Sequence, residues 1–136
     1  MLMPMKDGLI IGHPKVLENV YLIWLNGCLT VPIKDFYTID FVLNGVINEP
    51  DIYEWSKTNI NILTLSGEQF AEVLKLQQFY KMAITLTETM AFYFAQRDSF
   101  SLLAPDEFFS ESTMTCTYYG VGIIHQNYII RKEAAM

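Results

Sequence analysis

The stretch from Ser66 to Arg97 contains no proline and no glycine after Gly67, and it lies between two regions with strand-like patterns. Ser66 and Gln69 have the spacing of a capping box, in which each side chain satisfies a free backbone N–H group at a helix start. A single helix of this length would span about 45 Å, whereas a domain of 136 residues is not much more than about 35 Å across. The sequence therefore predicts one long central helix over 66–97, which is either bent or covered by more than its own sheet.

The faces of this predicted helix differ between its two halves. At about 100° per residue, one apolar stripe runs along the whole stretch and is expected to pack on the sheet; it contains Phe70, Val73, Tyr80, Ile84, Ala91 and Phe94. The second half is also apolar away from this stripe, through Phe79, Met82, Leu86, Phe92 and Tyr93. This half needs a second cover, either the segment that follows the helix or another molecule.

The following segment, 98–112, mixes aromatic and acidic residues. Phe108 and Phe109 stand next to the acidic pair Asp106 and Glu107. One interpretation is an acidic and aromatic segment that binds a partner, and the other is a loop whose Phe and Leu side chains close the core. The predicted binding surface combines both regions: Phe79, Met82, Leu86, Phe92, Tyr93, Phe108, Phe109, Asp106 and Glu107.

The N-terminal region predicts one helix followed by extended structure. Pro14 suits a first helical turn and Asn26-Gly27 suits a helix end, so we expect a helix between them with Trp24 anchored in the core. Strands are expected near 28–32 and 36–43, followed by an Asn44-Gly45 hairpin turn and a short return strand from Val46. An alternative is a short helix that begins at Asp40. A further strand is expected over 59–65.

The C-terminal region alternates threonines with apolar residues over 113–118, then contains Gly120-Val121-Gly122 and a second apolar run to Arg131. This pattern is typical of a β-hairpin with one solvated face. The predicted architecture is therefore a single α+β domain over 1–136. It has an N-terminal helix, an antiparallel sheet of about five strands, the long helix packed on the sheet, and a C-terminal hairpin.

Charge and hydropathy exclude several classes of partner. Fifteen acidic and nine basic residues give a net charge of -6, and no basic run exceeds two residues. Because phosphate contacts need clustered Lys and Arg, we expect no nucleic-acid partner. Apolar runs are far shorter than the roughly 20 residues that span a bilayer, so we expect no membrane partner and a cytoplasmic location.

No arrangement of residues predicts catalysis. His13 and His125 are the only histidines, neither has a second ligand at metal-binding spacing, and Cys28 and Cys116 show no paired spacing. Gly120-Val121-Gly122 leads into a strand, so a hairpin turn explains it better than a phosphate-binding loop. We therefore expect no metal, no cofactor and no enzymatic activity.

The leading functional prediction is a non-enzymatic protein-binding module of the inhibitor, immunity-protein or chaperone type. Its aromatic surface would supply affinity, and its acidic rim would favour a basic protein partner. A first alternative is a structural subunit of a homo-oligomer or viral particle, with the long helix packed against a second copy. Another alternative is a ligand-binding protein or enzyme with a pocket between sheet and helix.

Overall fold

The computed structural model describes residues 8–80, 85–104, 121–125 and 129–130. Five parallel strands form one sheet in the order β3-β2-β1-β4-β5. The strands are β1 (Leu9–Ile11), β2 (Phe36–Ile39), β3 (Asn61–Leu63), β4 (Ser101–Ala104) and β5 (Ile123–His125). The helices are α1 (Pro14–Leu25), α2 (Asp40–Asn44), α3 (Pro50–Asn59), α4 (Gly67–Tyr80) and α5 (Leu86–Asp98), and a 3-10 turn covers Ile33–Asp35.

The predicted antiparallel sheet is wrong. Every ladder among the described strands is parallel, with Leu9 opposite Phe36 on one side of β1 and opposite Ser101 on the other. Parallel neighbours need a long crossover, and each link from β1 to β4 contains at least one helix. Helices on both faces bury the central strand completely, which explains why Leu9, Ile10 and Ile11 form a continuous apolar run.

The predicted hairpin at Asn44-Gly45 is also wrong. Strand β2 ends at Ile39, and the chain turns directly into α2 at Asp40, which is the alternative that the sequence left open. Gly45 ends this short helix and lies against Pro14: a Cβ at Gly45 would be 2.5 Å from the Pro14 ring. The residues expected to return as a strand instead lead to Pro50, which occupies the first turn of α3.

The long helix of 66–97 is two helices. The Ser66–Gln69 capping box is present at the start of α4, with both of its hydrogen bonds. A second capping box, Thr85 with Glu88, begins α5, and Thr85 has an extended backbone that cannot belong to a helix. Residues 81–84 between the helices lie outside the described part. The length problem posed by one 45 Å helix disappears because two shorter helices can pack side by side.

The N-terminal helix is confirmed as α1, but its buried face differs from the prediction. Val16, Leu17 and Val20 are fully buried, whereas Trp24 is 38% exposed and packs against Trp55 of α3. The strand predicted near 28–32 is reduced to one antiparallel bridge between Leu29 and Ile130.

The C-terminal hairpin is contradicted where the structure describes it. Strand β5 pairs in parallel with β4, and β4 itself lies inside the stretch predicted as the 98–112 loop. The threonine-rich half of the predicted hairpin, 113–118, lies outside the described residues.

Candidate functional site at the carboxyl edge of the sheet

The carboxyl ends of the five strands lie along one edge, because all the strands are parallel. Strand β1 is followed there by Gly12 and His13, and β2 is followed by Asp40. In open sheets of this kind, ligands bind outside the carboxyl ends of the strands, where the strand order changes direction. The order β3-β2-β1-β4-β5 changes direction at β1. The end of β1 is therefore the candidate functional site.

Helix α5 packs directly against the end of β1. A Cβ built on Gly12 would lie 2.8 Å from the Ala91 Cβ and 3.5 Å from the Glu88 Cα. The absence of a side chain at position 12 thus allows the first turns of α5 to approach the strand and brings Glu88 to this edge. One carboxylate oxygen of Glu88, Oε1, accepts a hydrogen bond of 2.9 Å from the Thr85 N–H, so the helix start fixes its orientation.

His13 is the residue that begins α1. Its Nδ1 accepts a hydrogen bond of 2.9 Å from the Lys15 N–H, in the manner of an N-cap side chain. The neutral ring in this arrangement carries its proton on Nε2, which points away from the capping interaction. The contact between Gly45 and Pro14 places α2 beside this helix start.

Asp40 is the first residue of α2 and the most unusual polar group at the edge. Its Oδ1 is buried and has no hydrogen-bond partner among the described residues. The start of a helix favours a negative charge, but a buried polar atom without a partner is costly and calls for an explanation. A ligand-binding role explains why such an atom is retained.

Thr38 connects the two strands that carry these residues. Its fully buried hydroxyl donates a hydrogen bond of 2.7 Å to the Ile11 carbonyl, the last carbonyl of β1. This bond holds the ends of β1 and β2 together, so the positions of His13 and Asp40 depend on one rigid scaffold. Rigid placement of polar groups is what a binding or catalytic site requires.

The described residues do not assemble a metal centre. Across 8–80, 85–104, 121–125 and 129–130, no group of three or more His, Cys, Asp or Glu side chains could hold a metal ion. Two carboxylates, Asp40 and Glu88, are too few for the oxygen ligands that Mg²⁺ or Ca²⁺ requires. We therefore assign no metal to this part of the edge and no chemical step to a metal.

The residues predicted as a binding surface are distributed differently. Phe92 is fully buried in the core, Leu86 is half-buried at the start of α5, and Tyr93 is half-buried. The Tyr93 hydroxyl donates a hydrogen bond of 2.9 Å to the Glu72 carboxylate and so joins α5 to α4. The side chain of Phe79 and the residues Met82, Asp106, Glu107, Phe108 and Phe109 lie outside the described part. Their role as a binding surface stays a prediction.

The sequence reasoning missed the three residues of the edge, His13, Asp40 and Glu88. Each follows a strand or opens a helix, and Thr85 with Glu88 has the spacing of a capping box that could have been found. Their proximity to the sheet edge could not be found without the parallel strand order.

Comparison with known proteins reveals similarity in fold only. No protein-family profile and no curated protein sequence matches the chain. A chain of FitAB bound to an IR36 DNA fragment matches with a TM-score of 0.56 and 11% identity, covering 86% of this chain and 94% of that one. A toxin–antitoxin complex from Klebsiella pneumoniae matches with a TM-score of 0.52 and 16% identity over 76% and 91% of the two chains. VapBC2 from Rickettsia felis, bound to a DNA fragment from its promoter, matches with a TM-score of 0.54 and 11% identity over 86% and 98%.

These neighbours give the chain an α/β fold like that of PIN-domain toxins. They contradict the prediction of a non-enzymatic binding module, because they are toxin components of toxin–antitoxin pairs with a nuclease fold. They also contradict the partner prediction, which excluded nucleic acid and metal, since two of them are bound to DNA. Nothing in them supports an inhibitor, a viral protein or a homo-oligomer. Among the described helices, none has both the length and the apolar character needed to cross a bilayer.

Proposed function

We propose that this chain is the toxin-type component of a toxin–antitoxin pair and acts as an enzyme on RNA at the carboxyl edge of its sheet. The observation that carries the proposal is the fold, which extends over 86% of the chain and nearly the whole of a FitAB chain. Toxins with this fold are ribonucleases. A cytoplasmic location, expected from the sequence, suits such an activity.

The chemistry that we assign to the edge is proton transfer. Cleavage of a phosphodiester needs a group that accepts the proton of the attacking hydroxyl or water, and such a group must have a free acceptor atom. Asp40 Oδ1 has no hydrogen-bond partner among the described residues, whereas Glu88 Oε1 is already bonded to Thr85. We assign Asp40 as the proton acceptor and Glu88 as a second negative group that shapes the edge.

The acidic character of the chain limits how it binds RNA. A net charge of -6 gives little general attraction for a phosphate backbone, so affinity must come from local contacts and not from overall charge. We expect weak binding of RNA with a shallow dependence on salt. A protein partner of the antitoxin type is the second part of the proposal, and it rests on the complexes in which the neighbours occur.

The test is cleavage of a labelled RNA pool by the purified chain, with and without added Mg²⁺ or Mn²⁺, in parallel with the Asp40→Asn variant. Loss of a general base lowers the rate about 100-fold or more. The same variant is expected to be at least as stable as the parent, because it removes charge from a buried atom that lacks a partner. This combination separates a lost function from a lost fold.

Asp51→Asn is the matched control, since Asp51 is also an acidic residue in a first helical turn but is exposed. It should leave cleavage unchanged. The proposal is refuted if the parent chain cleaves no RNA under any of these conditions, or if Asp40→Asn cleaves as fast as Asp51→Asn.

A further inference from the structure

The last turns of α1 expose a large apolar surface. Leu22 is 46% exposed, Trp24 is 38% exposed and Leu25 is 54% exposed, and we name these three residues the α1-end surface. Trp24 packs against Trp55 of α3 with ring centroids 5.4 Å apart, and Tyr21 packs against the same ring at 5.2 Å. Exposed apolar side chains that adjoin one another on a small protein indicate a place where something docks.

An unpaired donor lies within this aromatic cluster. Trp55 is only 8% exposed, and its Nε1 has no hydrogen-bond partner among the described residues. An indole N–H that is buried normally finds an acceptor. A segment that docks over the α1-end surface would bring backbone carbonyls close to this ring and could supply that acceptor.

The chain itself leads a segment toward this surface. Leu29 forms an antiparallel bridge with Ile130, and the Thr30 N–H donates a hydrogen bond of 2.9 Å to the Ile129 carbonyl. In an antiparallel pair, the residue after Ile130 continues alongside Cys28 and then Gly27, which is the direction of the end of α1. Six extended residues reach about 20 Å, so segment 131–136 is long enough to cross the α1-end surface.

The charges of this segment complement the helix end. The carboxyl end of a helix carries a partial negative charge, and the last turn of α1 contains no basic residue. Segment 131–136 begins with Arg131 and Lys132 and then provides Ala134, Ala135 and Met136. The basic pair would meet the last carbonyls of α1, and the apolar residues would follow over Leu22, Trp24 and Leu25, where a methionine packs well against aromatic rings.

We infer that segment 131–136 docks across the carboxyl end of α1 and covers the α1-end surface. This inference concerns the amino edge of the sheet, where α1 ends, and it does not rest on the proposed function. Its failure would leave the RNA-cleavage proposal unaffected, and the reverse also holds.

Tryptophan fluorescence tests the inference directly, because the only two tryptophans of the chain are Trp24 and Trp55. A variant that ends at Ile130 keeps the bridge to Leu29 and loses the segment. We expect a red-shifted emission and a roughly twofold rise in the acrylamide quenching constant, since uncovering an indole ring increases its contact with solvent. Unchanged emission and quenching in the truncated protein would overturn the inference.

A charge variant gives a second measurement that does not require truncation. Arg131→Glu replaces the cation at the helix end by an anion, and it should raise quenching in low salt. Lys15→Glu makes the same change of charge at the opposite end of α1 and should have no such effect. Equal quenching in the two variants would contradict the role of charge.

Two further results would assign the cover to another occupant and overturn the inference. The first is an increase in quenching when residues 1–7 are removed in place of 131–136. The second is quenching that falls with protein concentration while light scattering shows a dimer, which would mean that a second copy covers the surface.

Discussion

Replacing Gly12 by alanine should destabilise the protein by moving α5 away from the end of β1. The new Cβ would be 2.8 Å from the Ala91 Cβ, whereas carbon atoms in contact are normally about 3.5–4.0 Å apart. The helix or the strand must therefore shift by roughly 0.7–1.2 Å. Because Ala91 is fully buried, no mobile side chain can absorb this shift.

The expected magnitude follows from two opposing effects. Overpacking a filled core costs about 1–3 kcal/mol, and the reduced freedom of the unfolded chain when glycine becomes alanine offsets about 0.4–1 kcal/mol. We expect a net loss of about 1–2 kcal/mol in the free energy of unfolding. For a chain of this size this corresponds to a fall of roughly 4–8 °C in Tm.

Urea unfolding followed by circular dichroism measures this loss, and a double-mutant cycle tests its cause. Ala91→Gly removes the atom that the new Cβ would meet, so Gly12→Ala combined with Ala91→Gly should show a favourable coupling of about 1 kcal/mol. Gly67→Ala is the matched control, because nothing lies within 4 Å of a Cβ at that position. A Gly12→Ala variant as stable as Gly67→Ala, or a cycle without coupling, would refute the close packing of α5 on β1.

Three other variants test the packing and capping of the helices. Thr85→Ala should lower stability by about 1 kcal/mol because it removes the capping box of α5, whereas Thr87→Ala in the same turn should cost clearly less; equal losses in urea unfolding would contradict the capping role. Phe92→Ala should cost about 3–5 kcal/mol in the isolated protein, since this ring is fully buried, and a loss under 1 kcal/mol would mean that the ring is not core. Burial, and then the hydrogen bond to Glu72, raise the pKa of Tyr93 above 10.0, so its stabilising effect is complete below pH 10 and is lost as the pH rises through the folded-state pKa. Tyr93→Phe should remove that part of the alkaline loss of stability, and an unchanged pH profile in urea titrations would count against the Glu72 contact.

Local signals in the sequence located several element ends correctly. Pro14 begins α1, and the Ser66–Gln69 capping box begins α4, because these interactions involve only neighbouring residues. The apolar pattern over 59–65 also located β3. The second capping box at Thr85 was present in the sequence but was overlooked, so one long helix was predicted in place of two.

The direction of the strands was not available from their local pattern. Alternation along Phe36–Ile39 fits a strand in either orientation, and it also continues into residues 40–43, which form a helix. What separates a parallel from an antiparallel neighbour is the crossover between them, and this depends on where the intervening helices pack. The error in sheet type led to the errors in the hairpins and in the functional class.

The candidate site depends on the tertiary structure even more strongly. The sequence determined that His13, Asp40 and Glu88 lie at or near helix starts, because capping and helix-dipole preferences are local. Only the fold brings these starts to one edge, since the residues are far apart in the chain and the parallel order aligns the strand ends. The close approach of α5 to Gly12, and the buried Asp40 oxygen without a partner, exist only in the packed protein, because both depend on residues that meet across the sheet.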